Sequence, residues 1–599
     1  MSFARLVVAG FCLTVGTAVS AASAALADSP STFLREQAGS AVNWQLWDAG
    51  LVKRAHDEGR PVYVFAGSIL NELSRATIRQ TFNNADVAAY LNANFLCVLV
   101  DRDEQPDVAA AILQFLRTIK QQDGWPAHLW LTPEMQPFEG AGYLPPSEEW
   151  GKPGFLKVAR QALDAWAGDP KTCRARAADA VAMMNSPGEP PTAGSGPAPK
   201  LATQLADGAT AWRGTYDEAN AGFGQAPKGT EPELLRFLLR QSPADRDAAL
   251  ATLRAIVNGA VRDPLDGGFF SRATDAAWRV PYFQKILADQ ARMALACLDA
   301  AQVSGDATLA QAARGALDYA LTRLALPAGG FAAAEDGTTD ETASYYTWTA
   351  AEIDTLLGPD AAAFKKAYAV LPEGNVSADD DPSAHFKGKN ILRRATLPGD
   401  AAAETALASA LGRLRTARDG RLAPRRYDRA TAGAHGLMLA ALSRAGAQLG
   451  EPRYLKAAAQ LFALVQKDFV VGPAGDVRRM RAPSAPAAPA DYAALALGCR
   501  EFARTGKQAE AGALATLLLA RAGGVFFDSV HGAYFATPAT LPPGLVVRPP
   551  AAGDVPAAET LALLAGAPPD QAAALAKTLA ASLDAGTPAP GDVLLALSQ

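Results

Sequence analysis

The side chains that perform redox and metal chemistry are few in this sequence and poorly spaced for it. Its five cysteines are Cys12, Cys97, Cys173, Cys297 and Cys499, and no two form C-x-x-C. Thiol–disulfide exchange needs an attacking thiolate with a resolving thiol beside it. The five histidines, His56, His128, His385, His435 and His531, are equally scattered. No H-x-x-H or H-E-x-x-H places two imidazoles on one helix face. The expectation is therefore no metal site and no cofactor. Gly222-Phe223-Gly224 lacks the preceding strand that would make it a nucleotide-binding loop.

The elements that carry these residues fall into two folded parts, as 599 residues require. Residues 1–27 read as a signal peptide: Arg5 is the positive start, an apolar stretch runs to about Val19, and Ala25-Leu26-Ala27 precedes Asp28. An uncleaved anchor helix is the alternative, since the stretch is long enough to span. Cleavage would remove Cys12, start the mature chain near Asp28 and send it to the periplasm or outside the cell, with no stable membrane insertion. The four remaining cysteines allow three disulfide pairings, and the sequence does not choose. Cys97 and Cys297 lie in apolar runs, as buried thiols would.

Residues 28–185 alternate strand and helix. Val62–Ala66, Phe95–Val100 and His128–Thr132 are β-rich, and helices are expected over Glu72–Asn92 and Asp107–Gln121. Residues 186–200, SPGEPPTAGSGPAPK, read as a linker. Residues 201–599 carry helical periodicity, for example Ala291, Ala294, Leu295 and Leu298 on one face. Breaks are expected at Asp266-Gly267-Gly268-Phe269, Ala328-Gly329-Gly330-Phe331 and Ala522-Gly523-Gly524-Val525. A net charge of −5 gives no electrostatic reason to expect nucleic acid as a partner.

Several segments resemble, in order, the thioredoxin-domain family named after spermatogenesis-associated protein 20. They include Arg60-Pro61-Val62-Tyr63, Val100 to Asp107, Gly124-Trp125-Pro126 and Gly222-Phe223-Gly224-Gln225-Ala226-Pro227-Lys228. Tyr346-Thr347-Trp348-Thr349, Gly388-Lys389-Asn390-Ile391-Leu392 and Gly436-Leu437-Met438 continue the series. The resemblance implies a multidomain α/β plus all-α protein. A thioredoxin-like domain precedes an (α/α)6 toroid of the six-hairpin glycosidase and sugar 2-epimerase type.

The family's C-H-W-C-H aligns with Asn71 and Ser74 at the two sulfur positions, and with Glu72 and Arg75 at the histidines. Pro126 fits the cis-proline that faces this site. Either Asn71, Ser74 and Pro126 form a polar binding surface, or they are a capped helix start.

In the helical part, Phe270 and Tyr282 stand where the family has histidines, and Gln284 where it has a glutamate; Asp275, Trp278, Pro281, Lys285 and Asp289 match. Thr338 replaces an aspartate near Asp336, while Ala434 and His435 replace a tryptophan and an asparagine. Asp275 with Asp336 is a candidate carboxylate pair like that of a glycosidase, with loop carboxylates or helix caps as the plain alternative. Asp340 and Asp491 remain as further cavity groups. Trp278, Tyr282, Gln284, Asp289, Trp348 and His435 are the candidate ligand contacts, the tryptophans stacking on sugar rings or packing in the core. The expectation is an exported, catalytically degenerate protein that binds a carbohydrate or a partner protein. A glycoside hydrolase or sugar epimerase is the alternative.

Overall fold

The computed structural model describes residues 23–185, 201–337, 343–396, 399–429, 431–481, 487–506, 508–529, 533–535, 567–581, 583 and 588–598. The linker 186–200, most of the leader, Thr338 and Asp340 lie outside them. Residues 23–27 are helical with Leu26 buried, a side chain that cleavage after Ala27 would remove. The chain forms two compact units, and the described residues 487–489, 525–529 and 533–535 group with the first.

The first unit is built on a five-stranded sheet of order β1-β3-β2-β4-β5. The strands are β1 (Gln45–Leu46), β2 (Val62–Gly67), β3 (Leu96–Asp101), β4 (Ala127–Leu131) and β5 (Pro137–Ala141). β3 runs parallel to β1 and β2, while β4 is antiparallel to β2 and β5. Every residue of β2, β3 and β4 is buried, as expected of strands covered on both faces. One face carries Val62, Val64, Leu96, Val98 and Val100 under α4 (Pro106–Lys120), whose Ile112 and Phe115 join the same core. The other carries the rings of Trp44, Tyr63, Phe65, Phe82 and Phe155 in edge-on and tilted contacts.

The helix expected over Glu72–Asn92 is divided. It consists of α2 (Glu72–Thr77), a π turn over Ile78–Phe82, and α3 (Ala85–Asn94), with α1 (Leu51–Glu58) preceding β2. Asn84 restarts the helix, because its side chain accepts the amides of Asp86 and Val87.

In the second unit, nearly wholly buried helices alternate with helices that bury one face. The buried set is α5 (Pro232–Leu238), α7 (Leu287–Ser304), α9 (Ala432–Gln448), α11 (Pro489–Gly506) and α13 (Gly591–Leu597). Their partners are α6 (Pro243–Asn258), α8 (Ala307–Tyr319), α10 (Pro452–Asp468) and α12 (Ala509–Phe526). α5 touches α13 and α7, and α7 touches α9. This inner and outer layering is that of an α/α toroid, and the described residues supply five of its inner helices. The break expected at Gly523-Gly524 lies inside α12, where tertiary packing outweighs the weak helix preference of glycine. α12 is long and apolar enough to cross a membrane, yet Arg521 bonds Asp476 and Glu510 bonds Gln466.

Short sheets cap the hairpins. β6 (Lys228–Gly229) pairs with β7 (Arg272–Ala273), and β10 (Thr347–Trp348) with β11 (Asn390–Ile391). A three-stranded sheet orders β12 (Arg425–Tyr427), β9 (Ala334–Asp336) and β8 (Gln284–Ile286).

α9 and α11 approach through glycine. A Cβ on Gly436 would lie 2.4 Å from the Ala494 carbonyl, so Gly436→Ala should cost about 1–3 kcal/mol of stability. Gly412, inside the helix Ala401–Arg418, faces open space, and Gly412→Ala should gain about 0.5–1 kcal/mol. Denaturant unfolding of both variants checks this; effects of the same sign would contradict the close approach.

Candidate functional site

At the redox positions, Asn71 is the N-cap of α2, and its side-chain oxygen accepts the Ser74 amide at 2.8 Å and the Ser74 hydroxyl at 2.9 Å. The Ser74 hydroxyl in turn accepts the Ser68 amide at 3.3 Å, and Ser74 is 0% exposed. Glu72 and Arg75, at the two histidine positions, form an ion pair. Pro126 is buried after a cis Trp125–Pro126 peptide, one residue before the Ala127–Ala66 pair that brings β4 beside the end of β2. The arrangement is a capped helix start, with its polar groups turned on one another.

All four described cysteines are free and buried. Burial pushes the Cys97 thiol up, and those of Cys297 and Cys499 up to about 12, so none offers a thiolate. His128 lies in the aromatic face of the sheet against the Tyr63 hydroxyl at 2.7 Å, and burial lowers it to about 3.

In the helical unit, the first member of the proposed carboxylate pair is engaged by its own turn. Asp275 sits in a hairpin turn and accepts four bonds from three backbone amides: Ala277 at 2.7 Å, Arg279 at 3.1 and 2.9 Å, and Val280 at 2.6 Å. Those bonds hold the turn that gives Trp278 its φ of +60°, a conformation most residues avoid. A carboxylate so engaged is not the free base or nucleophile of a pair. Asp336 lies on β9 in register with Gln284 of β8, and both side chains are buried.

Trp278 and Trp348 are not open stacking surfaces. Trp278 is 2% exposed and donates to the Ala221 carbonyl at 2.6 Å, while Gly222 and Lys228 pack against its ring. Trp348 is 0% exposed, with the Arg421 guanidinium 3.7 Å from its ring centre. His435 is a core histidine. Its Nε2 accepts the Phe331 amide at 3.1 Å, its Nδ1 meets the Thr431 carbonyl at 3.1 Å, and burial lowers it to about 4. Asp491 accepts the Gly433 amide at 3.0 Å and pairs with Arg479 at 2.8 Å. Tyr282 is half-buried, with the Arg272 guanidinium 4.1 Å from its ring centre.

A family model described as Thioredox_DsbH, protein of unknown function, DUF255, matches residues 23–185. Spermatogenesis-associated protein 20 of Homo sapiens is 28% identical over 572 residues, 86% of this chain and 72% of that one. Its Mus musculus counterpart is 30% identical over 404 residues, 61% of this chain and 50% of that one. The family model and these relatives support the spermatogenesis-associated protein 20-like thioredoxin-domain family, the model over residues 23–185 and the human relative over most of the chain.

Among solved structures, a GH76 alpha-mannanase from Bacteroides thetaiotaomicron matches with TM-score 0.34 and 10% identity, covering 64% of this chain and 78% of that one. A sugar epimerase from a ruminal bacterium matches with TM-score 0.28 and 15% identity, over 56% and 91%. A protein titled DsbH Oxidoreductase matches with TM-score 0.16 and 18% identity, over 20% and 85%. Likenesses this distant say nothing of chemistry, and the fold stands on the sheet and hairpins described above.

Around Asp289, which the sequence had singled out, lie three acids that sequence reasoning missed, Glu231, Glu233 and Asp592, also at the starts of inner helices. Glu231 is the N-cap residue of α5, Glu233 lies in its first turn, Asp289 in that of α7 and Asp592 in that of α13. Arg292 pairs with Glu233 at 3.2 Å. Burial raises the Asp289 carboxyl to about 6, with Arg292 opposing and Glu233 adding to the rise. Burial, Glu233 and Asp592 likewise raise Glu231. Acids N-terminal on buried helices were a readable signal, but their convergence from residues 231 to 592 was not.

At the end of β3, Asp101 accepts the Ser31 hydroxyl at 2.6 Å and the Asp103 amide at 2.9 Å. Burial and then the Asp103 charge raise its carboxyl to about 7, against which the hydrogen bonds and Glu104 matter less. The folded state thus holds this proton more tightly than the unfolded chain, whose value lies near ~3.9. Its stabilising contribution is complete below ~pH 4 and is lost as pH rises to about 7. Asp101→Asn should therefore gain on the parent in melting temperature between pH 5 and pH 8. A difference that does not change with pH would contradict the raised value.

Proposed function

We propose that this is an exported protein that has left thiol–disulfide exchange and works by binding, with a carbohydrate or a partner protein as its ligand. The observation that carries the reading is the closed hydrogen-bond set of Asn71 and Ser74 at the two sulfur positions. An amide does not attack a disulfide, and a serine hydroxyl does not replace a resolving thiol at neutral pH. Export rests on the leader-like sequence before Asp28.

The loss of turnover is supported by the same kind of commitment in the helical unit. Asp275 and His435 are engaged by backbone groups, and Phe270, Tyr282 and Gln284 stand where the resemblance calls for proton-transfer groups. Glutamine keeps a carboxylate's shape without its exchangeable proton. With Trp278 and Trp348 buried, recognition falls to polar groups such as Tyr282, Arg272 and the acids of the first turns.

A glycosidase or epimerase is the second reading, favoured by the Asp289 carboxyl at about 6 beside Glu233. An acid that retains its proton near neutrality is what protonation of a glycosidic oxygen requires.

The purified chain should reduce insulin no faster than the dithiothreitol blank, and faster reduction would overturn the redox half of the proposal. Glycans captured on an array should be recovered intact after incubation. Release of hydrolysed or epimerised sugar, abolished by Asp289→Asn, would establish the enzyme reading instead.

A further inference from the structure

Many arginines of the helical unit are matched by a carboxylate. Arg236 meets Asp299 at 2.8 Å, Arg418 meets Asp263 at 2.8 Å, and Arg444 meets Glu501 at 3.0 Å. Arg279 and Arg393 break that pattern. Among the described residues neither side chain has an ion pair, and the Nε of Arg393 is buried without a hydrogen-bond partner.

Three backbone segments bring the two together. The Arg394 amide donates to the Asn258 carbonyl at 2.7 Å, and the Ala260 amide donates to the Trp278 carbonyl at 2.7 Å. The segment carrying Arg393 is thereby laced through residues 258–260 to the turn that carries Arg279. On either side of this lacing, Val280 and Ile391 pack in one apolar cluster.

The nearby carboxylate attracts Arg393 but forms no ion pair with it. Asp275 is the carboxylate that Arg393 senses, but its oxygens are bound by the amides of Ala277, Arg279 and Val280. Burial, and then the Arg279 charge, lower the Arg393 guanidinium below its usual value, with Asp275 opposing. Arg279 itself is exposed, so an approaching group reaches the pair from solvent.

We propose that Arg279 and Arg393 form an oxyanion-binding site for a carboxylate, sulfate or phosphate group. The guanidinium fork matches two oxygens of such a group, and no carboxylate of the described residues occupies the fork of either arginine. The site lies outside the acids of the first turns and does not depend on whether the helical unit binds neutral sugars. Its ligand is an acidic small molecule, or the acidic group of a larger one.

Isothermal titration of the full chain at constant ionic strength tests the site, with acetate, glucuronate, inorganic sulfate and inorganic phosphate as separate probes against a chloride background. At least one oxyanion should bind saturably, and Arg279→Ala should weaken it by about tenfold, the scale of a lost charge-assisted contact. Arg393→Ala should do the same, and Arg393→Lys should restore part of the affinity. Glucuronate binding without acetate binding would make the ligand an acidic sugar; binding of phosphate or sulfate alone would make it a phosphorylated or sulfated one. Arg279 is exposed, so its alanine variant tests the site even if Arg393→Ala does not fold. No saturable binding of any probe, or binding unchanged in Arg279→Ala, overturns the proposal.

Discussion

One buried carboxylate organises the polar interior of the helical unit. Asp263 takes the Lys285 ammonium at 2.7 Å and the Arg418 guanidinium at 2.8 Å, and Arg418 reaches on to Asp266 at 2.5 Å. Burial alone would push the Asp263 carboxyl up, but Arg418 and Lys285 outweigh it and hold the group well below the ordinary range. The rings of Phe270, Tyr319 and Tyr346 enclose the Lys285 ammonium at 4.5 to 5.0 Å. Removing one partner from such a cluster leaves a charge stranded in the core, at a cost of roughly 3–5 kcal/mol.

The sheet that faces the candidate site inherits its position from this cluster. Lys285 belongs to β8 and its cross-strand neighbour Glu335 to β9, where Tyr319 donates to Glu335 at 2.6 Å and Arg323 pairs with it at 3.1 Å. Side chains alternate along a strand, so Gln284 and Asp336 point to the opposite face. Their placement is a consequence of ion pairs on the far side of the same strands. The segments by which the family is recognised behave alike: Thr347-Trp348 pairs with Asn390-Ile391, Gly222 and Lys228 close over Trp278, and Asp266 holds Arg418. These segments are engaged in the fold's own contacts.

Much of the fold could be read from the sequence, and the reasons it could are local. The apolar runs at Val62, Phe95 and His128 lie within a residue of β2, β3 and β4, because β-branched and aromatic runs have few other uses. The absence of cysteine at the two aligned positions was equally plain, since it is a matter of residue identity at Asn71 and Ser74. The role of Asp275 was not, because its partners are backbone amides that leave no mark in the residue types around it. Trp278 and Trp348 could not be separated from surface rings by pattern, since burial is decided by segments far away in the chain. The double glycine inside α12 misled for the opposite reason, its local signal being overruled by packing.

The central claim is that the polar groups this sequence offers for chemistry are held by the fold's own hydrogen bonds. The most direct measurement is the unfolding free energy of Asp275→Asn, taken beside its affinity for whatever ligand the parent binds. Asparagine keeps one acceptor oxygen and loses the other, so two of the turn's four bonds lose their acceptor. The account predicts a loss of about 1–3 kcal/mol in stability, the cost of leaving buried amides unpaired, with ligand affinity preserved while the protein remains folded. Unchanged stability with ligand binding or turnover abolished would contradict it.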